Sequence, residues 1–287
     1  MSQRFTGNVT ETVKKLLKGK KGIETKKNLD SDRASNAYSF VGNLKRPFDT
    51  IQWLCSKTQS SKDGYGFLFF ETLDGYVFRS IENLLDEEAV DYKKSEKVEG
   101  NNDLRILENN LNQTNDIGMG CRMGMYANKT IYVNIDNATI KTVAYRIESL
   151  KMKKPPKLPN GLEKNPTRLM LRILDKCALQ KGSKKDQIQK ENELAIYQSK
   201  SYARANLIFS QSMSVSIPFN PELRAGQMLD LRFPLRKSEG DDQDKTTYGT
   251  ESDDDVSGKY LISELKHNIA DNRANTEVTL IRDAFTA

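Results

Sequence analysis

His267 is the only histidine in the chain, so any imidazole chemistry would have to run through it. It lies between Lys266 and Asn268 in a strand-like run, and it reads as a solvated or hydrogen-bonded strand residue. A histidine-pair metal site is excluded, and no Gly-x-Ser-x-Gly turn presents a nucleophile to this ring. Glu71 and Asp74 are the acids closest to a glycosidase pair, but Asp74 belongs to a turn and Glu71 ends an aromatic strand. Cys55, Cys121 and Cys177 have no Cys-x-x-Cys spacing and read as reduced structural thiols. Gly118-Met-Gly-Cys-Arg-Met-Gly124 comes nearest to a phosphate-cradling loop. Its glycines are spaced GxGxxxG and a strand pattern follows where a helix is required, so it reads as a bulged or sharply turning strand. Carboxylates from Glu239 through Asp241, Asp242 and Asp244 to Glu251 and Asp253, Asp254 and Asp255 lack the alternating ligand spacing of a calcium loop. With Gly, Ser and Thr around them, residues 238–255 are expected to be a mobile, solvated excursion. No catalytic, cofactor-binding or metal-ligating residue is therefore assigned; the expectation is a protein that is not an enzyme and takes no cofactor.

The elements that would position any such residue must fit 287 residues, enough for one large domain or two ordinary ones. Hydrophobic residues make up 37% and charged residues 29%, and the longest apolar runs, such as Phe67-Leu-Phe-Phe70, are too short to span a bilayer. The first residues, Met1 to Gly7, carry no apolar core of a signal peptide. A net charge of +6 makes nucleic acid a candidate partner. The lysines have simpler roles, however. Lys14, Lys15, Lys18, Lys20 and Lys21 sit on the polar side and C-terminal end of a short helix, and Lys151, Lys153, Lys154 and Lys157 surround Pro155-Pro156 in an extended linker. Neither cluster interleaves with aromatics, so no specific nucleic-acid site is expected.

In chain order, Asn8–Leu17 is predicted to be a helix with a Val13, Leu16, Leu17 stripe and Thr10 as N-cap. A brief strand is expected near Tyr38–Val41. Leu44–Cys55 reads as a second helix with Pro47 in its first turn and Phe48, Ile51, Leu54 and Cys55 buried; Trp53 lies beside that stripe. Leu73-Asp74-Gly75 between two aromatic, β-branched runs signals a hairpin. A short helix follows near Ile81–Leu85, and the charged stretch Glu87–Asn102 is expected to be exposed. Strands are predicted from Leu104 onward, ending with Lys129–Ile135 and Ile140–Tyr145. Residues 152–190 read as linker around an apolar patch at Leu169–Leu174, and Asn192–Phe209 as a helix presenting Leu194, Ala195, Tyr197, Ala203 and Ala205. In Gln211–Phe219, Met213, Val215, Ile217 and Phe219 alternate with Ser212, Ser214 and Ser216, which gives one apolar and one polar face. Gln227–Phe233 is a further strand, stopped by Pro234, and Gly258–Ile269 with Thr276–Arg282 forms a long hairpin. Its arms are long for free edges, so a neighbouring copy or a tube subunit is expected to continue the sheet.

The run from Arg46-Pro-Phe-Asp-Thr-Ile-Gln-Trp-Leu to Gly-Phe-Leu-Phe-Phe-Glu-Thr-Leu-Asp-Gly-Tyr-Val-Phe-Arg-Ser-Ile81 resembles the central baseplate hub protein of contractile-tailed phages of the T-even type. The C-terminal order is similar to the barrel of such hubs and of type VI secretion spike proteins: Leu223-Arg-Ala-Gly-Gln-Met-Leu-Asp-Leu-Arg-Phe-Pro234, Ser257-Gly-Lys-Tyr-Leu-Ile-Ser-Glu-Leu-Lys-His267 and Thr276-Glu-Val-Thr-Leu-Ile-Arg-Asp283. The resemblance implies an α+β chain with a helix and β-hairpin domain at 1–103. It also implies a discontinuous, tail-tube-like antiparallel β-barrel from 104–148 and 205–287, and an inserted linker and helix at 149–204. It further implies a non-enzymatic homotrimeric ring in the virion baseplate, assembled in the host cytoplasm, with tail tube protein, spike protein and other baseplate proteins as partners and no membrane. Family members carry two such barrels, and no counterpart of the first precedes Asn8; the resemblance thus implies a shortened hub, or a barrel supplied by another polypeptide. The competing readings are a virion-associated glycan hydrolase and a basic nucleic-acid-binding module.

Overall fold

The computed structural model describes residues 3–60, 64–94, 104–113, 116–135, 138–150, 158, 161–162, 164–174, 184–238, 246–253, 256–270 and 273–283. In chain order the first elements are β1 (Arg4–Phe5), α1 (Val9–Lys18), β2 (Asn28–Ser31), β3 (Phe40–Val41), α2 (Pro47–Cys55), β4 (Phe67–Thr72), β5 (Gly75–Ser80) and α3 (Ile81–Leu85). Then come β6 (Ala89–Lys93), β7 (Glu108–Gln113), α4 (Ile117–Met123), β8 (Ala127–Asn134), β9 (Thr139–Arg146), β10 (Arg168–Ile173) and α5 (Lys184–Leu207). The chain ends with β11 (Gln211–Pro218), β12 (Met228–Arg232), β13 (Pro234–Ser238), β14 (Thr246–Ser252), β15 (Gly258–Ala270) and β16 (Arg273–Arg282). The fold is α+β and strand-rich, and it divides into two compact units: Met1–Asn83 with Ile117–Leu207, and Leu84–Asp116 with Ile208–Ala287. This division differs from the one expected at 103/104 and at 149–204.

In the first unit, Asn8 rather than Thr10 caps α1, accepting from the Thr10 N–H at 2.9 Å. Thr10 is already inside the helix and buried, its hydroxyl donating to the Asp32 carbonyl and accepting from the Ala34 N–H. The stripe Val9, Val13, Leu16 and Leu17 is buried, and α2 begins with Pro47 at its first position and buries Ile51 and Leu54. Phe48 stays 40% exposed, tilted over Phe69 and Tyr76. Trp53 stacks edge-on to Tyr38 and Phe40 at the core margin. The hairpin β4–β5 turns through Leu73-Asp74, and Gly75 is already paired with Thr72. Gly75 has φ of 147°, and a Cβ there would stand 2.4 Å from the Asn28 carbonyl, because β2 runs parallel and close alongside β5.

The same unit holds a second sheet, in the order β10-β8-β9. The patch Leu169–Leu174, expected inside a linker, supplies β10, which runs parallel to β8 from Arg168–Asn128 to Ile173–Val133. β8 and β9, expected in the C-terminal barrel, are thus part of a separate sheet. Its inner face carries Tyr132 and Val143 in one core cluster with Leu194 and Ala195 of α5, and Tyr132 Oη lies 2.9 Å from Ser199 Oγ. Leu194, Ala195 and Ala203 are buried as expected. So is Arg204, whose Nε donates to Glu82 Oε1 at 2.6 Å, giving the buried cation its counter-charge.

The second unit is a curled six-stranded sheet in the order β6-β12-β15-β16-β11-β7, antiparallel except where β6 joins β12. An isolated bridge between Lys93 and Arg105 links the last residue of β6 to the segment before β7, so the two edges meet at one point. β11 alternates as expected: Met213, Val215 and Ile217 are buried with Leu229, Leu231, Tyr260, Val278 and Leu280. Phe219 lies beyond the strand end and packs edge-on to His267 at 5.3 Å. β16 is paired with β11 from Asn275 to Arg282, whereas β12 pairs with β15 only from Gly258 to Leu261, so among the described residues the outer part of the long arm β15 has β16 alone as a paired strand. The stretch expected to be an exposed charged segment contains β6, whose Tyr92 is fully buried. Pro234 begins β13, a position that needs no ladder N–H. In the expected acidic excursion, Thr246–Ser252 is a strand paired with β13; residues 239–245 and 254–255 lie outside the described residues.

Candidate functional site

The residues with chemical potential are scattered. His267 projects from β15, its Nδ1 2.9 Å from Thr276 Oγ1, and both partners belong to one hairpin. Glu71 pairs with Lys27, which holds the Lys27 ammonium above its usual range; an acid so engaged at the surface is not poised to protonate a leaving group. Burial pushes the Cys55 thiol up to about 12 and raises that of Cys121, the opposite of the lowered pKa of a reactive cysteine. Cys177 lies outside the described residues. Among the described residues no three His, Cys, Asp or Glu side chains gather as metal ligands, and no helix is long and apolar enough to cross a membrane.

The glycine-rich run is not the bulged strand expected from its spacing: Ile117–Met123 forms α4. Gly120 faces the Tyr126 ring so closely that a Cβ would lie 2.6 Å from the phenol oxygen. Gly124 ends the helix at φ of 70°, a conformation that glycine adopts freely. These glycines serve close packing and a helix stop. They do not cradle a ligand.

What the fold does build is two extended surfaces of opposite character. On the second unit, the face of β11 away from the core carries Ser212, Ser214 and Ser216, all half-buried. Register places Asn110 and Thr279 beside Ser214, and Glu108 and Glu277 beside Ser216. Asn112 Nδ2 donates to Ser214 Oγ at 2.6 Å, Asn275 Nδ2 to Ser216 Oγ at 2.9 Å, and Asn268 Nδ2 to Glu277 Oε1 at 2.7 Å. The result is a polar, hydrogen-bonded face of Ser, Asn, Thr and Glu side chains with a groove of about 710 Å³ along β7, β11 and β16. The Ser alternation in the sequence signals β11's share of it. Nothing in the sequence signals β7's share, because that pairing spans a hundred residues.

On the first unit, the outer face of β10-β8-β9 is aliphatic. Register aligns Leu169, Lys129 and Ala144 in one row, Leu171, Ile131 and Thr142 in the next, and Ile173, Val133 and Ile140 in the third. Leu171 is 73% exposed and Ile140 72%. On the polar surface Glu108 and Glu277 flank Ser216, and on the aliphatic one the charges of the three strands are Lys129 and Arg146.

No protein-family model and no curated protein sequence matches this chain. Among solved structures, it is similar to the tail protein from Neisseria meningitidis MC58, with a TM-score of 0.51 and 9% identity over 98% of this chain and 69% of that one. It is also similar to the 43 kDa tail protein of prophage MuSo2 from Shewanella oneidensis, with a TM-score of 0.43 and 7% identity over 98% of this chain and 66% of that one. The chain therefore shares the fold of the Neisseria tail protein along nearly its whole length.

Proposed function

We propose that this chain is a structural, non-enzymatic component of a contractile phage tail: the central hub of the baseplate, which as a homotrimeric ring joins the tail tube to the membrane-piercing spike. The observation that carries the reading is the likeness in fold to a tail protein over 98% of the chain. The hydrogen-bonded Ser/Asn face of the six-stranded sheet supports it further. A channel that passes DNA or a folded-out protein must be wet and must not grip, so small hydroxyl and amide groups suit it better than lysine rows or aromatic platforms. In this reading the face containing Ser212, Ser214 and Ser216 turns toward the channel, and tube, spike and other baseplate proteins are the partners. The test is electron microscopy of the purified chain, alone and with the tube and spike proteins of the same phage. Rings with a central hole that cap the spike are expected. Monomers under every condition, with no spike binding, would remove the reading.

A further inference from the structure

The sheet β10-β8-β9 buries one face, which mixes Tyr132 and Val143 with Asn128, Thr130 and Asn134, and leaves an aliphatic face outside. Its inner face belongs to the core with α5, yet on the outer face Leu169 is 65% exposed, Leu171 73%, Ile173 64% and Ile140 72%. Sheets with parallel pairs, like β10 with β8, are ordinarily covered on both sides, since a bare aliphatic face costs free energy in water. The charges that share this face are Lys129 and Arg146, both exposed and both positive; no acid of these three strands lies on it. The same chain carries a segment of the opposite kind. From Asp86 to Asp91 the sequence reads Asp-Glu-Glu-Ala-Val-Asp, with Asp86, Glu88, Val90 and Asp91 exposed. Its last three residues belong to β6, an edge of the six-stranded sheet, where the exposed Lys93 follows the acidic run.

We propose that the aliphatic face of β10-β8-β9 seats the acidic edge Asp86–Asp91 of a second copy, head to tail. Two copies of the aliphatic face set against each other would bring Lys129 and Arg146 opposite cations, which disfavours that pairing. A head-to-tail contact instead joins unlike surfaces, the kind that closes into a ring. Three strands about 4.8 Å apart and about six residues long give a flat face of roughly 300 Å², well below the roughly 800 Å² per partner of a stable complex. The contact is therefore the apolar centre of a larger one, and association depends on concentration. The inference deepens the ring reading and rests on it for the second copy.

Sedimentation velocity on the full chain from about 1 µM to about 100 µM tests it. The wild-type protein is expected to grow in mass with concentration. Leu171→Glu, at a position too exposed to matter for folding, should abolish that growth with an unchanged circular dichroism spectrum. Glu88→Lys with Asp91→Lys should weaken association at least about tenfold, and adding Lys129→Glu with Arg146→Glu should restore it. Oligomers that persist in Leu171→Glu, or a charge swap that fails to restore them, would overturn this contact while leaving rings on the micrographs and spike binding untouched. A wild-type chain that stays monomeric throughout would overturn it too.

Discussion

Ile217 is fully buried in the core of the six-stranded sheet, while Ser214, three residues earlier on the same strand, faces the groove. Ile217→Ala removes three carbons from a site packed among Val215, Val278 and Leu280. At about 0.8 kcal/mol per buried carbon the transfer loss is about 2.4 kcal/mol, and incomplete collapse of the cavity brings it to about 3 kcal/mol. That is about two decades in the unfolding constant. Ser214→Ala removes one half-exposed hydroxyl that accepts from Asn112, at a cost below about 1 kcal/mol, since Asn112 can turn to water. Hydrogen exchange read by mass spectrometry on peptides covering 211–218 and 273–282 resolves the two cases locally. Fluorescence of Trp53, the only tryptophan, reports the other unit and serves as an internal reference. Ile217→Ala should speed exchange in both peptides by close to the full two decades, and Ser214→Ala by less than a factor of about five. Equal, small effects at both positions would refute the alternation on which the buried and groove-facing sides of this sheet are argued.

Two further outcomes follow from the same contacts. Asn8→Ala removes the α1 cap and the 2.7 Å bond from Asn8 Nδ2 to the Ala34 carbonyl, so a loss of about 1–2 kcal/mol is expected in denaturant titrations followed by Trp53 fluorescence; an unchanged midpoint would contradict the cap. Burial pushes the Tyr260 phenol, which donates to the Val256 carbonyl at 2.8 Å, up to about 12, and burial raises those of Tyr132 and Tyr145 as well. The folded state holds these protons more tightly than the unfolded chain, whose tyrosines titrate near about 10. This stabilisation is complete below about pH 10 and is lost as pH climbs through about 12, so denaturation midpoints should fall over that window, and a midpoint that rises would reverse the sign of the argument.

Local pattern was legible wherever one face of an element is wet. The Val13, Leu16, Leu17 stripe marked α1, the Asp74-Gly75 pair marked the β4–β5 turn, and Ser/apolar alternation marked β11 with the correct face buried. Signals failed where a tertiary contact decides the outcome. Thr10 is a good capping residue by type, but Asn8 lies one step outside the helix and Thr10's hydroxyl is taken by the 32–34 loop. The Gly118–Gly124 run lost its expected strand to a helix because Gly120 fits beneath Tyr126. β6 was hidden for another reason. As an edge strand it buries one large side chain, Tyr92, and its remaining positions are charged or lightly apolar, which locally is indistinguishable from a solvated loop.

Pairing was the least legible layer, and it decides where each surface lies. Alternation in Lys129–Ile135 identifies a strand but does not say whether its partner is the C-terminal hairpin or a six-residue patch forty residues on. The structure chooses the patch: Leu169, Leu171 and Ile173 fall in register with Lys129, Ile131 and Val133, and β10 completes an aliphatic face that no single strand carries. Of the 104–148 stretch expected in the barrel, β7 does join the six-stranded sheet, and it brings Asn110 and Asn112 to the serines of β11. The pairings therefore decide that one face is aliphatic and the other polar. A single strand's sequence encodes half of such a face at most, so the elements are legible before the faces they build together.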